Sequence, residues 1–192
     1  MTNRTLAVVA TFTALALASD FGLADALNVK LVDPIVFSVA FVFGLEAGIS
    51  VGVLSEVIWG TVSPFGFGGY VIPFLAGGEV LFAVAGWAAS RVWSGQESRL
   101  SPRNAYFGAT LAMCAFLWDL ETNAATALLV YSTHLNWKEL VATEVLGIWP
   151  FMIAHEVSDF VTGALLAPAI IFYAARFLRP SAPARASRLE AL

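Results

Sequence analysis

Residues 34–62 read PIVFSVAFVFGLEAGISVGVLSEVIWGTV, an apolar block whose only charges are Glu46 and Glu56. A helix that is apolar all round is either a core helix or one solvated by lipid. Two readings of this block compete. It is one long tilted helix, or two short helices meeting at Gly44-Leu45-Glu46-Ala47-Gly48. A single span would hold Glu46 near the bilayer centre, at about 2.5–3.5 kcal/mol on the insertion scale. A hairpin moves that carboxylate to the interface and puts glycines at the bend, so the hairpin is the reading taken.

The rest of the chain has the same texture. Of its 192 residues, 59% are hydrophobic and 12% charged, with a mean hydropathy of +0.79. A soluble domain has about 25% charged residues. With lipid as solvent the backbone must satisfy its own hydrogen bonds, as helices or as a closed barrel. The apolar runs are continuous, without the alternation of barrel strands, so the fold class is an all-α integral membrane protein. A six-transmembrane-helix bundle follows, with helices at about 4–19, 34–44, 47–62, 71–93, 104–132 and 145–178. Residues 179–192, rich in Pro, Ala and Arg, read as a disordered cytoplasmic tail.

Positive charge sets the orientation. Arg91, Arg99 and Arg103 share one connection, and Arg176, Arg179, Arg185 and Arg188 share the C-terminus. Both groups belong on the cytoplasmic side of the cell membrane, and with six helices the N-terminus joins them. A five-helix count exchanges Arg4 for Lys30 and balances equally well, so charge does not choose between the two. The N-terminus has a second reading as well, because Arg4, a short apolar core and Ala16-Leu17-Ala18 resemble a signal peptide with its cleavage site. Cys114 is the sole cysteine, which excludes a disulfide framework and a cysteine-rich metal site. A net charge of −4 gives no reason to expect nucleic acid.

The acids inside the apolar runs carry most of the functional information. Glu56 falls late in the third helix, Glu79 early in the fourth, Asp119 and Glu121 in the fifth, and His155, Glu156 and Asp159 in the first turns of the last. On the six-helix topology all of them lie in the outer half of the membrane. Ionisable groups in a membrane face the bundle interior and mark a ligand or ion path. Trp59 shares a helical face with Glu56, and Trp118 adjoins Asp119, while Tyr131, Trp137 and Trp149 read as an interfacial belt. Asp119 with Asn123, and His155 with Asp159, are four apart and share a face. Carboxylates beside indoles suit a planar, cationic, nitrogen-containing molecule. The connections 20–33 and 61–69 lie on the same side, positioned to close over a site.

Small residues recur every four positions at Ala10, Ala14 and Ala18, and at Gly44, Gly48 and Gly52. Such spacing lets helices approach closely in lipid. The glycine stripe reads as internal packing. The alanine stripe reads either as packing or as a docking face for another membrane subunit. His155-Glu156-Val157-Ser158-Asp159 is also close to the His-Glu-x-x-His metal pattern. An intramembrane metallohydrolase is therefore an alternative, weakened by the lack of an obvious third ligand, and the expectation is no metal, no cofactor and no enzyme. A self-sufficient proton-coupled carrier is another alternative, in which the acids relay protons.

Taken together these features resemble the substrate-binding S component of an energy-coupling factor (ECF) vitamin transporter. The resemblance rests on Ala10-x-x-x-Ala14, on the glycine-rich turn from Phe43 to Gly52, on Pro64 opening a lid-like connection, and on Glu79. His155 to Asp159 followed by Pro168 resembles the final helix of that family. The resemblance implies a vitamin-like ligand in the outer half of the bundle, a transmembrane scaffold subunit docked on Ala10, Ala14 and Ala18, and two cytoplasmic ATPase subunits. The chain has no Gly-x-x-x-x-Gly-Lys loop of its own. The expected binding set is Glu56, Trp59, Glu79, Trp118, Asp119, Asn123, His155 and Asp159.

Overall fold

The computed structural model describes residues 2–93, 101–131 and 136–177, and among these every regular element is helical. In chain order they are α1 (Asn3–Gly22), α2 (Val32–Phe43), α3 (Leu45–Val62), α4 (Ile72–Val92), α5 (Pro102–Val130), α6 (Trp137–Gly147) and α7 (Ile153–Phe177). Four helical segments are long and apolar enough to cross a membrane: Asn3–Gly22, Leu45–Val62, Gly69–Val92 and Trp137–Arg176. The outer faces of the helices expose large apolar side chains, among them Leu54, Val57, Met113, Leu117, Phe160 and Leu165. A soluble monomer rarely exposes so much, and an apolar exterior of this extent suggests insertion in a membrane.

The block 34–62 is a hairpin. Gly44 closes α2 and opens α3 with φ +98°, a backbone that only glycine adopts without strain. Glu46 lies exposed in the first turn of α3, where the helix dipole favours a negative charge. The stripe that follows packs inward: a Cβ on Gly48 would stand 2.5 Å from that of Ala40, and one on Gly52 2.7 Å from that of Glu79. The hairpin is tight because these positions carry no side chain.

α2 is the axis of the bundle. Its residues from Val32 to Val42 are all buried, surrounded by α1, α3, α4 and α7. α5 and α7 form the longest seam, and glycine is again the reason. A Cβ on Gly163 would lie 3.0 Å from the Gly108 Cα, so the two backbones touch. Pro168 sits inside α7 and has no N–H to offer the carbonyl of Ala164. Asn104, in the first turn of α5, donates its side-chain N–H to that carbonyl at 2.9 Å.

The structure departs from the sequence expectation in three places. α1 runs to Gly22 and α2 starts at Val32, so Asp20 and Asp33 belong to helices and the connection shrinks to 23–31. The final helix does not begin at 145. Trp137–Gly147 is a separate helix, opened by a capping box between Asn136 and Glu139, and it is divided from α7 by a kinked turn at Ile148–Met152. The break falls at Trp149, which has extended backbone (φ −116°, ψ 127°), as the residue before Pro150 prefers. The tail 179–192 and His134 lie outside the described residues.

The alanine stripe of α1 faces outwards. Ala10, Ala14 and Ala18 are exposed, and the helix enters the bundle instead with Val8, Val9, Phe12, Thr13, Ala16 and Asp20.

Candidate functional site

Alternating helix directions bring one end of each of six helices together, and each delivers a carboxylate. Asp20 comes from the end of α1, Asp33 from the start of α2, Glu56 from late α3, Glu79 from early α4, Asp119 from α5 and Asp159 from early α7. All six are buried, and Asp33, Glu79 and Asp159 have no exposed surface. The only basic partners among the described residues at this end are Lys30 and His155.

His155 is the hub. Its Nε2 lies 2.9 Å from Asp33 Oδ2 and its Nδ1 3.0 Å from Asp119 Oδ2. An imidazole donating from both nitrogens is an imidazolium, and here it bridges α2, α5 and α7. Trp118 packs edge-on against the ring at 5.5 Å and donates its indole N–H to the Leu75 carbonyl at 3.2 Å. A Cβ on Gly78 would overlap that indole, so α4 leaves it room by lacking a side chain there.

Above the cluster lies a cavity of about 610 Å³. Its roof is the connection 23–30, its floor and walls are Asp20, Glu56, Trp59, Leu75 and Trp118, and Phe65 and Phe151 close the sides. The size lies within the ~300–1,000 Å³ of ordinary small-molecule sites. Trp59 is held edge-on between Phe21 (5.1 Å) and Phe65 (6.2 Å). The roof is pinned by Asn28, which has φ +48° and donates its side-chain N–H to the Phe151 carbonyl at 3.0 Å.

Lys30 reaches down from this roof. Its Nζ stands 3.4 Å from the centre of the Trp118 ring, a cation–π contact. Burial works to lower its pKa, but the carboxylates of Glu56, Asp33, Glu79 and Asp119 outweigh it and hold the ammonium above the usual lysine value. It therefore stays charged.

The residues singled out from sequence separate into three groups. Glu56, Trp59 and Trp118 line the cavity. Glu79, Asp119, His155 and Asp159 lie in the buried cluster beneath it. Asn123 belongs to neither, because it faces α6 and contacts Glu144 Oε2 at 3.4 Å and the Met152 sulfur at 3.6 Å. Asp20, Lys30 and Asp33 were absent from the expected set. Glu156, the base of the metallohydrolase alternative, is half-buried and stands outside the cluster. No family model matches this chain, and no curated protein or solved structure matches it either.

Proposed function

We propose that this chain is the membrane-embedded substrate-binding subunit of an ECF-type importer, taking a vitamin-like organic cation into the cavity over Glu56 and Trp118. The observation that carries this reading is the cavity itself, roofed by a polar connection and set directly over buried carboxylates in a bundle with an apolar exterior. Asp20, Asp25 and Glu56 on the walls favour positive charge, and the half-buried Trp59 offers an aromatic edge to a planar nitrogen heterocycle. Lys30 covers the face of Trp118 and acts as a tethered stand-in for a ligand's own charge.

The protein works by binding and reorientation and performs no catalysis. It spans the cell membrane with both termini in the cytoplasm, because Arg4, Arg91, Arg103 and Arg176 stand at the helix ends opposite the acids. The exposed face of Ala10, Ala14 and Ala18 meets a transmembrane scaffold subunit. Two cytoplasmic ATPases supply the energy.

The test is mass spectrometry of small molecules that co-purify with the detergent-solubilised chain, followed by titration of the molecule found. One stoichiometric organic cation is expected. Glu56→Gln weakens it by roughly tenfold or more, since a hydrogen bond to a charged group contributes about 1.5–3 kcal/mol. Lys30→Gln has the opposite sign, because it withdraws the competing ammonium. An empty protein whose melting temperature responds to no cationic heterocycle overturns the proposal.

A second reading, the self-sufficient proton-coupled carrier, draws on the Asp33–His155–Asp119 chain. Uptake into liposomes driven by a pH gradient, with no ATPase present, selects it over the first.

A further inference from the structure

The buried cluster has more acceptors than the protein has donors for. Neither oxygen of Glu79 and neither oxygen of Asp159 has a hydrogen-bond partner among the described residues, and Asp33 Oδ1 has none. One oxygen of Asp159 nevertheless lies within 4.8 Å of one of Asp33. Ionised carboxylates are acceptors only, so acids arranged in this way share either a proton or a cation. Six acids facing one ammonium and one imidazole cannot all stay ionised: buried acids without partners either take up protons or share a cation.

The geometry points to a divalent first-row transition-metal ion held by Asp33, His155 and Asp159. One ligand atom from each of the three lies within 4.8 Å of the others. The 2.9 Å between His155 Nε2 and Asp33 Oδ2 is close to the ~3.0 Å edge of an octahedron with bonds of about 2.1 Å. An ion at Nε2 takes the place of the proton there. Asp119 on Nδ1 then becomes the outer carboxylate that fixes tautomer and ring orientation, as metal-ligating histidines generally have. One imidazole with carboxylates suits Mn²⁺, Fe²⁺ or Zn²⁺. The sequence pattern supplied only His155 and Asp159. The third ligand is Asp33, 122 residues away from the histidine along the chain and brought to it by the burial of α2. This site lies beneath the cavity and does not depend on which organic molecule fills it.

The experiment uses the full chain in detergent, stripped with a chelator, loaded with Mn²⁺ and passed over a desalting column. Metal retained per chain is measured, and pulsed EPR then asks whether a histidine nitrogen couples to the bound ion. One equivalent and a nitrogen coupling are expected, with the coupling kept in His134→Asn, which removes the chain's only other histidine. Asp119→Asn lowers affinity roughly 10–100-fold, the range for outer partners of ligating groups. Asp159→Asn loses the ion, and Glu121→Gln, at an exposed acid of α5, retains it. An ion-free wild type, bound Mn²⁺ with no nitrogen coupling, or equal retention in wild type and Asp159→Asn overturns the site. Where Asp159→Asn fails to fold, the nitrogen coupling of the wild type decides alone.

Discussion

Two polar regions of this bundle are built on opposite terms. Along the α5–α7 seam, Pro168 leaves one backbone carbonyl without its helical donor, and Asn104 reaches across to supply one. At the acid end, oxygens of Asp20, Asp33, Glu56, Glu79 and Asp159 are equally buried, and among the described residues no donor comes to them. The first pattern is that of a structural repair, since an orphaned buried acceptor is costly. The second is that of a place kept for something that arrives from elsewhere. The difference separates polar groups that hold the fold from polar groups that the fold holds.

The comparison breaks most severely at His155. Replacing it with Gln removes the one partner that Asp33 and Asp119 share, and breaking a buried ion pair costs about 3–5 kcal/mol. Denaturant or thermal unfolding of the variant in detergent is expected to show this loss. A shift within error would mean that the acid end does not depend on its imidazolium. At the seam the expected loss is smaller. Asn104→Ala orphans the Ala164 carbonyl at about 1–3 kcal/mol. Adding Pro168→Ala to that variant restores a helical N–H four residues along and recovers most of the loss, which the double mutant's melting temperature reads directly. If Pro168→Ala rescues nothing, the repair reading of Asn104 is wrong. The smallest effect belongs to the exposed face of α1. Ala14→Leu changes stability by less than about 0.5 kcal/mol and removes co-purification with the proposed scaffold subunit.

The hairpin at Gly44 was readable because Glu46, which a single span would have buried, and a run of glycines pointed the same way. The burial of Glu56, Glu79, Asp119, His155 and Asp159 was readable because acids inside apolar runs stand out. Asp20, Lys30 and Asp33 were hidden by their neighbours, since 20–33 reads as a polar connection and only the folding of that segment over the bundle buries them. Asp33 did carry a local signal, standing just before Pro34 in the first turn of an apolar helix. Asn123 was misplaced for a different reason. Sharing a face with Asp119 put it in the site, but one turn further along α5 that face meets α6. α6 itself was hidden because Lys138, Glu139 and Glu144 interrupt its apolar pattern. Nothing in the sequence placed Lys30 on Trp118, a contact between segments far apart in the chain.

The axial helix α2 has 12 residues, a rod of about 18 Å, where a hydrocarbon core is about 30 Å thick. Surrounded by α1, α3, α4 and α7, all of them longer, it is about 12 Å shorter than such a core. The cavity is lined by the connection 23–30 that leads into that helix and by residues of the neighbouring helices. Which residues are left to roof it is thus set by where one helix starts, at Val32. Starting α2 two turns earlier would draw residues 25–30 out of the cavity's lining and into a helix, turning a receptacle into a solid column.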